Sequence, residues 1–90
     1  MAIQWDKTKA EVNLRKHNVS FEEAETVFDD PFALTVNDEL HSFDERRFLT
    51  IGESRVGRLI LVCHTFGEEN VRIISARLPA KSERKGYENG

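Results

Sequence analysis

Three apolar runs rich in β-branched and aromatic residues, "RRFLTIGE" (46–53), "RLILVCHTF" (58–66) and "VRIISARL" (71–78), are joined by links of only four residues, "SRVG" and "GEEN". A parallel crossover needs about a dozen residues or more, so links this short make consecutive strands antiparallel neighbours. A fourth run, "FALTV" (32–36), stands before them across the polar stretch "NDELHSFDE" and extends the pattern to a four-stranded antiparallel meander. Such a sheet must bury at least one face, and the residues upstream have to supply the cover.

Those residues read as helix. "AIQW" is a short apolar start in the manner of a strand, and Asp6 then caps a helix over 7–17 that sets Ala10, Leu14 and His17 on one stripe. Asn18 suits the left-handed position that closes a helix, because its short polar side chain tolerates that conformation. Ser20 followed three residues later by Glu23 is a capping box, flanked by Val19 and Ala24 as a hydrophobic staple. The second helix, 21–29, directs Phe21, Ala24, Val27 and Phe28 to the core and stops at Asp30-Pro31. After Pro79, "AKSERKGYE" reads as a short basic helix. The expected fold is α+β: a short N-terminal strand, two helices, a four-stranded antiparallel meander and a short C-terminal helix, with helices over one sheet face.

Length and composition bound the function classes. Ninety residues, 39% hydrophobic and 32% charged, suit one domain over 1–90 without repeat or linker. The chain has no apolar run of about 18 residues and its first residues, "MAIQWDKTK", carry no apolar signal segment, so a cytoplasmic protein with no membrane partner is expected. Cys63 is alone in an apolar run, which points to a reduced, buried thiol. Net charge is −3, but residues 1–45 hold four Lys/Arg against eleven Asp/Glu, whereas residues 46–90 hold nine against five. The bipolar arrangement suits a basic partner on one side and a polyanion on the other.

There is no phosphate-cradling glycine loop, dinucleotide fingerprint or His-Glu metal helix, and His17, His41 and His64 lack the spacing of a metal site. The polar set is His, Arg, Lys and Glu with no cofactor. It suits RNA cleavage, in which a base takes the 2′-hydroxyl proton, cations stabilise phosphate charge and an acid protonates the leaving oxygen. If residues 67–70 form the hairpin loop, His64 opposes Ile73, Val62 opposes Ser75 and Ile60 opposes Arg77. His64, Ser75 and Arg77 then share a face and Arg72 takes the other, although a slip of one residue exchanges these partnerships. The competing readings are ordinary ones: His64 as a histidine satisfied in the core, Arg77 as a strand-end cation, "DERR" as a solvated strand entrance, and Lys81, Arg84 and Lys85 as a solvated helix face.

"WDKTKAEVNLRKHNVSFEEAETVFDDP", "ERRFLTIG", "RLILVCHT", "VRIISAR" and "ERKGYE" follow one another in the order of the BrnT family of type II toxin–antitoxin toxins, which this chain resembles from Trp5 to Tyr87. One departure is Asn18, where the family usually has Gly. The resemblance implies a RelE-like fold, ribonuclease activity that inhibits translation, no cofactor, and neutralisation by a BrnA-type ribbon-helix-helix antitoxin through which operator DNA is reached. By position Lys16 and His17 match the family's Lys-His pair, Glu45 and Arg46 its Glu-Arg block, and Arg77 the end of its Ile-Ser-Ala-Arg block. The expected catalytic set is therefore His17, Glu45, Arg46, His64 and Arg77, with Lys16, Arg84 and Tyr87 on the RNA; the resemblance leaves the general base open. The alternative is a non-catalytic antitoxin-binding partner that assists operon repression, and a general RNA-binding domain is disfavoured by the acidic net charge and the lack of clustered sheet aromatics.

Overall fold

The meander forms as its short links require. The computed structural model describes residues 2–42, 45–67 and 69–89. In chain order it has β1 (Ala2–Trp5), α1 (Lys7–His17), α2 (Phe21–Thr26) running into a 3₁₀ turn (Val27–Asp29), β2 (Leu34–Asn37), a second 3₁₀ turn (Glu39–His41), β3 (Arg47–Glu53), β4 (Leu59–Phe66), β5 (Asn70–Arg77) and α3 (Lys81–Asn89). The strands make one five-stranded sheet in the order β1-β5-β4-β3-β2. β2 to β5 are the antiparallel meander, and β1 adds a parallel pairing to β5, with Ile3 opposite Val71 and Trp5 opposite Ile73.

Local chemistry sets the helical corner. Asp6 accepts from the Thr8 amide at 2.8 Å, Asn18 closes α1 in the left-handed region at φ 56°, and Ser20 Oγ accepts from the Glu23 amide at 3.0 Å. The Glu23 carboxylate does not complete the capping box. It takes Nε and Nη2 of Arg58 at 2.8 and 2.7 Å and the Ser54 hydroxyl at 2.7 Å, tying α2 to the β3–β4 turn. The Arg58 hydrogen bonds hold its pKa below the usual carboxylate range.

α1 and α2 cover one face of the sheet. Val19, Phe21, Ala24 and Val27 pack there against Ile60, Val62, Ile73 and Ala76, with Ile3, Trp5, Ala10 and Phe28 at the margin. The α1 stripe differs from the expected one: Leu14 is about half exposed and the buried residue is Asn13. β1 ends at Trp5, opposite Ile73, so among the described residues no strand lies beside the outer edge of β5 beyond that point. Asn13 takes that place. Its amide donates to Ala76 O at 2.8 Å and Val19 O at 2.9 Å, and its oxygen accepts from Ala76 N at 3.1 Å, as a neighbouring peptide would.

Gly52 allows the turn at 27–33 to lie close on β3. A Cβ there would stand 2.8 Å from Val27 Cγ1 and 3.1 Å from Ala33 Cβ, both too close. Gly52→Ala should accordingly cost about 1–3 kcal/mol through overpacking. A thermal melt within a degree or so of the parent would contradict this account.

The sheet register carries one correction with consequences. His64 does oppose Ile73, but a β-bulge between Cys63 and His64 shifts the pairing, so that Cys63 opposes Ser75, Val62 opposes Ala76 and Leu61 opposes Arg77. The bulge turns Ser75 and Arg77 onto the face opposite His64. They join Arg72 there, contrary to the expected grouping. This second face also carries Arg47, Leu49, Cys63 and Thr65. Its cover is partial: α3 lies against β3, Glu83 meets Arg77, and Ile51, Leu59 and Leu61 are buried.

Candidate functional site

The uncovered part of this second face is the candidate site. Arg47, the first residue of β3, lies opposite Thr65, and Arg77, near the end of β5, lies opposite Leu61. They are thus four residues apart on β4, about 13 Å along the strand. Between them stand Cys63 and Ser75, both half-buried, with exposed Arg72 beside the Arg47 end. Burial pushes the Cys63 thiol up, as does the charge of Asp38, while Arg47 and a hydrogen bond with Ser75 oppose the rise. Asp38, Arg47 and Ser75 therefore share the neighbourhood of one thiol.

The expected site residues divide among several places. His64 is fully buried on the helix-covered face, boxed by Phe28, Phe48 and Phe66 at ring-centre distances of 4.9, 6.0 and 4.8 Å. Its Nε2 shares a 2.7 Å hydrogen bond with Thr50 Oγ1, Nδ1 has no well-placed partner among the described residues, and burial drives its pKa down to about 4 against a small opposing pull from the Thr65 backbone. The ring is sealed among aromatics on the face opposite Arg77, so the expected grouping of His64 with Arg77 does not hold.

Arg77 is on the open face with both arms of its guanidinium on Glu83, at 2.9 and 3.0 Å, and this pairing raises its pKa. Glu83 also accepts from the Ala80 amide at 2.6 Å, so the pair fastens the start of α3 to the end of β5. Tyr87, one helical turn on, donates to Asp30 Oδ2 at 2.6 Å, and that hydrogen bond pushes its pKa up to about 12. Arg84 is exposed on α3. Glu45 pairs with Arg72 across the end of the face, and Arg46 is exposed just before β3, whereas its neighbour Arg47 projects on the open face. Lys16 and His17, at the end of α1, line a groove with Ile74 and Ser75 on the β5 margin.

A further group was not among the expected residues. His41 Nδ1 lies 2.9 and 3.0 Å from the two carboxylate oxygens of Asp38, in the turn between β2 and β3. The three-residue spacing in "DELH" is the only trace of this pair in the sequence, and that spacing is too common to single it out. Among the described residues no three His, Cys, Asp or Glu side chains converge to hold a metal ion, and no helix is long and apolar enough to cross a membrane.

A family model described as "Ribonuclease toxin, BrnT, of type II toxin-antitoxin system" matches residues 5–83. The chain belongs to the BrnT toxin family. The 1.1 Å crystal structure of the Brucella abortus ribonuclease toxin BrnT is similar to it at 26% identity and a TM-score of 0.69, over 90% of this chain and 99% of that one. A comparison with curated proteins gives no match. The α+β fold is thus shared with a BrnT toxin, and membership implies a partner antitoxin of the type II kind.

Proposed function

We propose that this BrnT-family chain is a cofactor-independent endoribonuclease with a RelE-like fold, which cleaves RNA on the open sheet face and so stops translation. A BrnA-type ribbon-helix-helix antitoxin neutralises it by covering that face, and operator DNA is bound only through the antitoxin. The carrying observation is the row of arginines, Arg47, Arg72 and Arg77, on the one sheet face that no helix fully covers. Guanidinium groups bind phosphate with paired hydrogen bonds and stabilise the charge that grows on it during attack. Lys16 and His17 border the same face through Ser75 and would hold the strand as it leaves the site.

Expression of the chain alone in bacteria, with RNA ends mapped by primer extension, tests this reading. Growth arrest with new RNA ends, both relieved by co-expressed antitoxin, is the expected result. Harmless expression with intact RNA and tight antitoxin binding would establish the non-catalytic partner instead.

The two outer arginines should behave differently. Among the described residues Arg47 makes no ion pair, whereas Arg72 and Arg77 each have a glutamate partner. Arg47→Ala should lower the cleavage rate about 100-fold, the size of losing one charge-stabilising donor. Arg77 is engaged by Glu83, so Arg77→Ala should lower the rate less than about tenfold and stability by at most about 1 kcal/mol. Equal losses from both would show that Glu83 releases Arg77 to the substrate.

A further inference from the structure

We propose that His41, oriented by Asp38, is the general base that takes the 2′-hydroxyl proton; the proposal rests on the ribonuclease reading above. Its physical basis is a turn that is pinned while one ring nitrogen has no partner among the described residues. The Asp38 amide donates to Arg47 O at 2.9 Å, the Ser42 hydroxyl donates to Asp38 O at 2.6 Å, and the Arg47 amide donates to Ser42 Oγ at 2.9 Å. These bonds fix the turn on the first residue of β3, whose side chain is the arginine of the open face. Asp38 is only 8% exposed, whereas the His41 side chain is 62% exposed.

The two nitrogens of His41 therefore have different tasks. A carboxylate can only accept, so Nδ1 carries the hydrogen and donates it to Asp38, and Nε2, which has no hydrogen bond among the described residues, keeps a lone pair to take a proton. The carboxylate also stabilises the imidazolium that forms, as the aspartate does in hydrolase triads. The other two histidines lack this arrangement: His64 is sealed in the core, and His17 lies at the α1 terminus with no carboxylate on it among the described hydrogen bonds. An ion pair serving only the 3₁₀ turn would hold the same two side chains together, and the experiment below separates the two roles.

The step balances without a cofactor. His41 Nε2 takes the 2′-hydroxyl proton as the 2′-oxygen bonds to the adjacent phosphorus. The bond from phosphorus to the 5′-oxygen breaks with its electron pair on that oxygen, which takes a proton from water. The products are a 2′,3′-cyclic phosphate and a 5′-hydroxyl, and the imidazolium returns its proton to solvent. Arg47, on the strand to which the turn is bonded, faces the phosphate.

The test measures single-turnover cleavage of messenger RNA in a cell-free translation mixture, at saturating and at limiting toxin. His41→Ala should lower the saturated rate by about 100- to 10,000-fold, the usual range for a lost general base, and leave half-saturation within about threefold. Added imidazole should restore part of the rate, which a structural role would not allow. Asp38→Asn, which keeps the shape but offers Nδ1 a donor in place of one oxygen, should lower the saturated rate with little change in half-saturation. A His41→Ala protein that melts normally and cleaves at the parental rate, or whose loss imidazole leaves untouched, overturns the assignment while the ribonuclease reading stands. A parent protein that cuts no RNA overturns that reading and this one with it.

Discussion

Asn13→Ala should lower folding stability by about 3 kcal/mol or more and the melting temperature by more than about 12 °C. The side chain is 5% exposed and stands in for a missing strand, making three hydrogen bonds to the backbone at Val19 and Ala76. Removing it leaves two buried carbonyls and one buried amide without partners, each worth about 1–3 kcal/mol, with some of that recovered by water at the sheet edge. A chain of this length has only about 5–13 kcal/mol in total. Asn13→Asp should be worse still, because a carboxylate cannot donate to either carbonyl and brings a charge into the core. Urea unfolding of both variants decides the matter. A loss under about 1 kcal/mol for Asn13→Ala would mean that the β5 edge is satisfied in some other way.

The second large effect is acid destabilisation through His64. Its pKa falls from 6.5 to about 4 on folding, because burial disfavours the charged ring. Above about pH 6.5 the ring is neutral in both states and stability does not depend on it. Below that value the unfolded chain binds a proton that the folded chain refuses, so stability falls until about pH 4, by about 3 kcal/mol in all. The carboxylates of Glu23 and Glu83, held low by Arg58 and Arg77, also lose stabilising charge as pH falls, but they do so equally in a variant. His64→Gln should therefore lose less stability than the parent between about pH 7 and pH 4, even where it is less stable at neutrality. Parallel pH profiles for the two proteins would show that His64 protonates without cost and that the aromatic box opens to water.

The elements were legible in the sequence wherever their cause lay within a few residues. Asp6, Asn18 and Ser20 act on amides and dihedrals of their own turn, and each does in the structure what its chemistry requires. Links of four residues permitted only antiparallel neighbours, and the strands start and stop within two residues of their expected bounds. Lys16 and His17 reach the β5 margin for the same reason, since a left-handed residue directly after them fixes where the helix end points.

The candidate site was far less legible, because its composition depends on contacts distant in sequence. The pairing of β1 with β5 joins residues 68 apart, and Asn13 grips Ala76 across 63. The bulge between Cys63 and His64 has no glycine or other local signature, yet it decides which face receives Ser75 and Arg77. Glu83 and Arg77, or His41 and Asp38, are close in sequence, but spacings so common mark neither pair. Only the tertiary structure placed the first pair over the sheet as a clasp for α3 and the second in a turn hydrogen-bonded to the Arg47 backbone. By itself the sequence determined where the helices start, the caps at Asp6, Asn18 and Ser20, the antiparallel order and the resemblance to BrnT toxins, because propensity, capping and short links act locally. The face each charged side chain occupies was decided by the fold, because a single extra residue in one strand reverses every side chain beyond it.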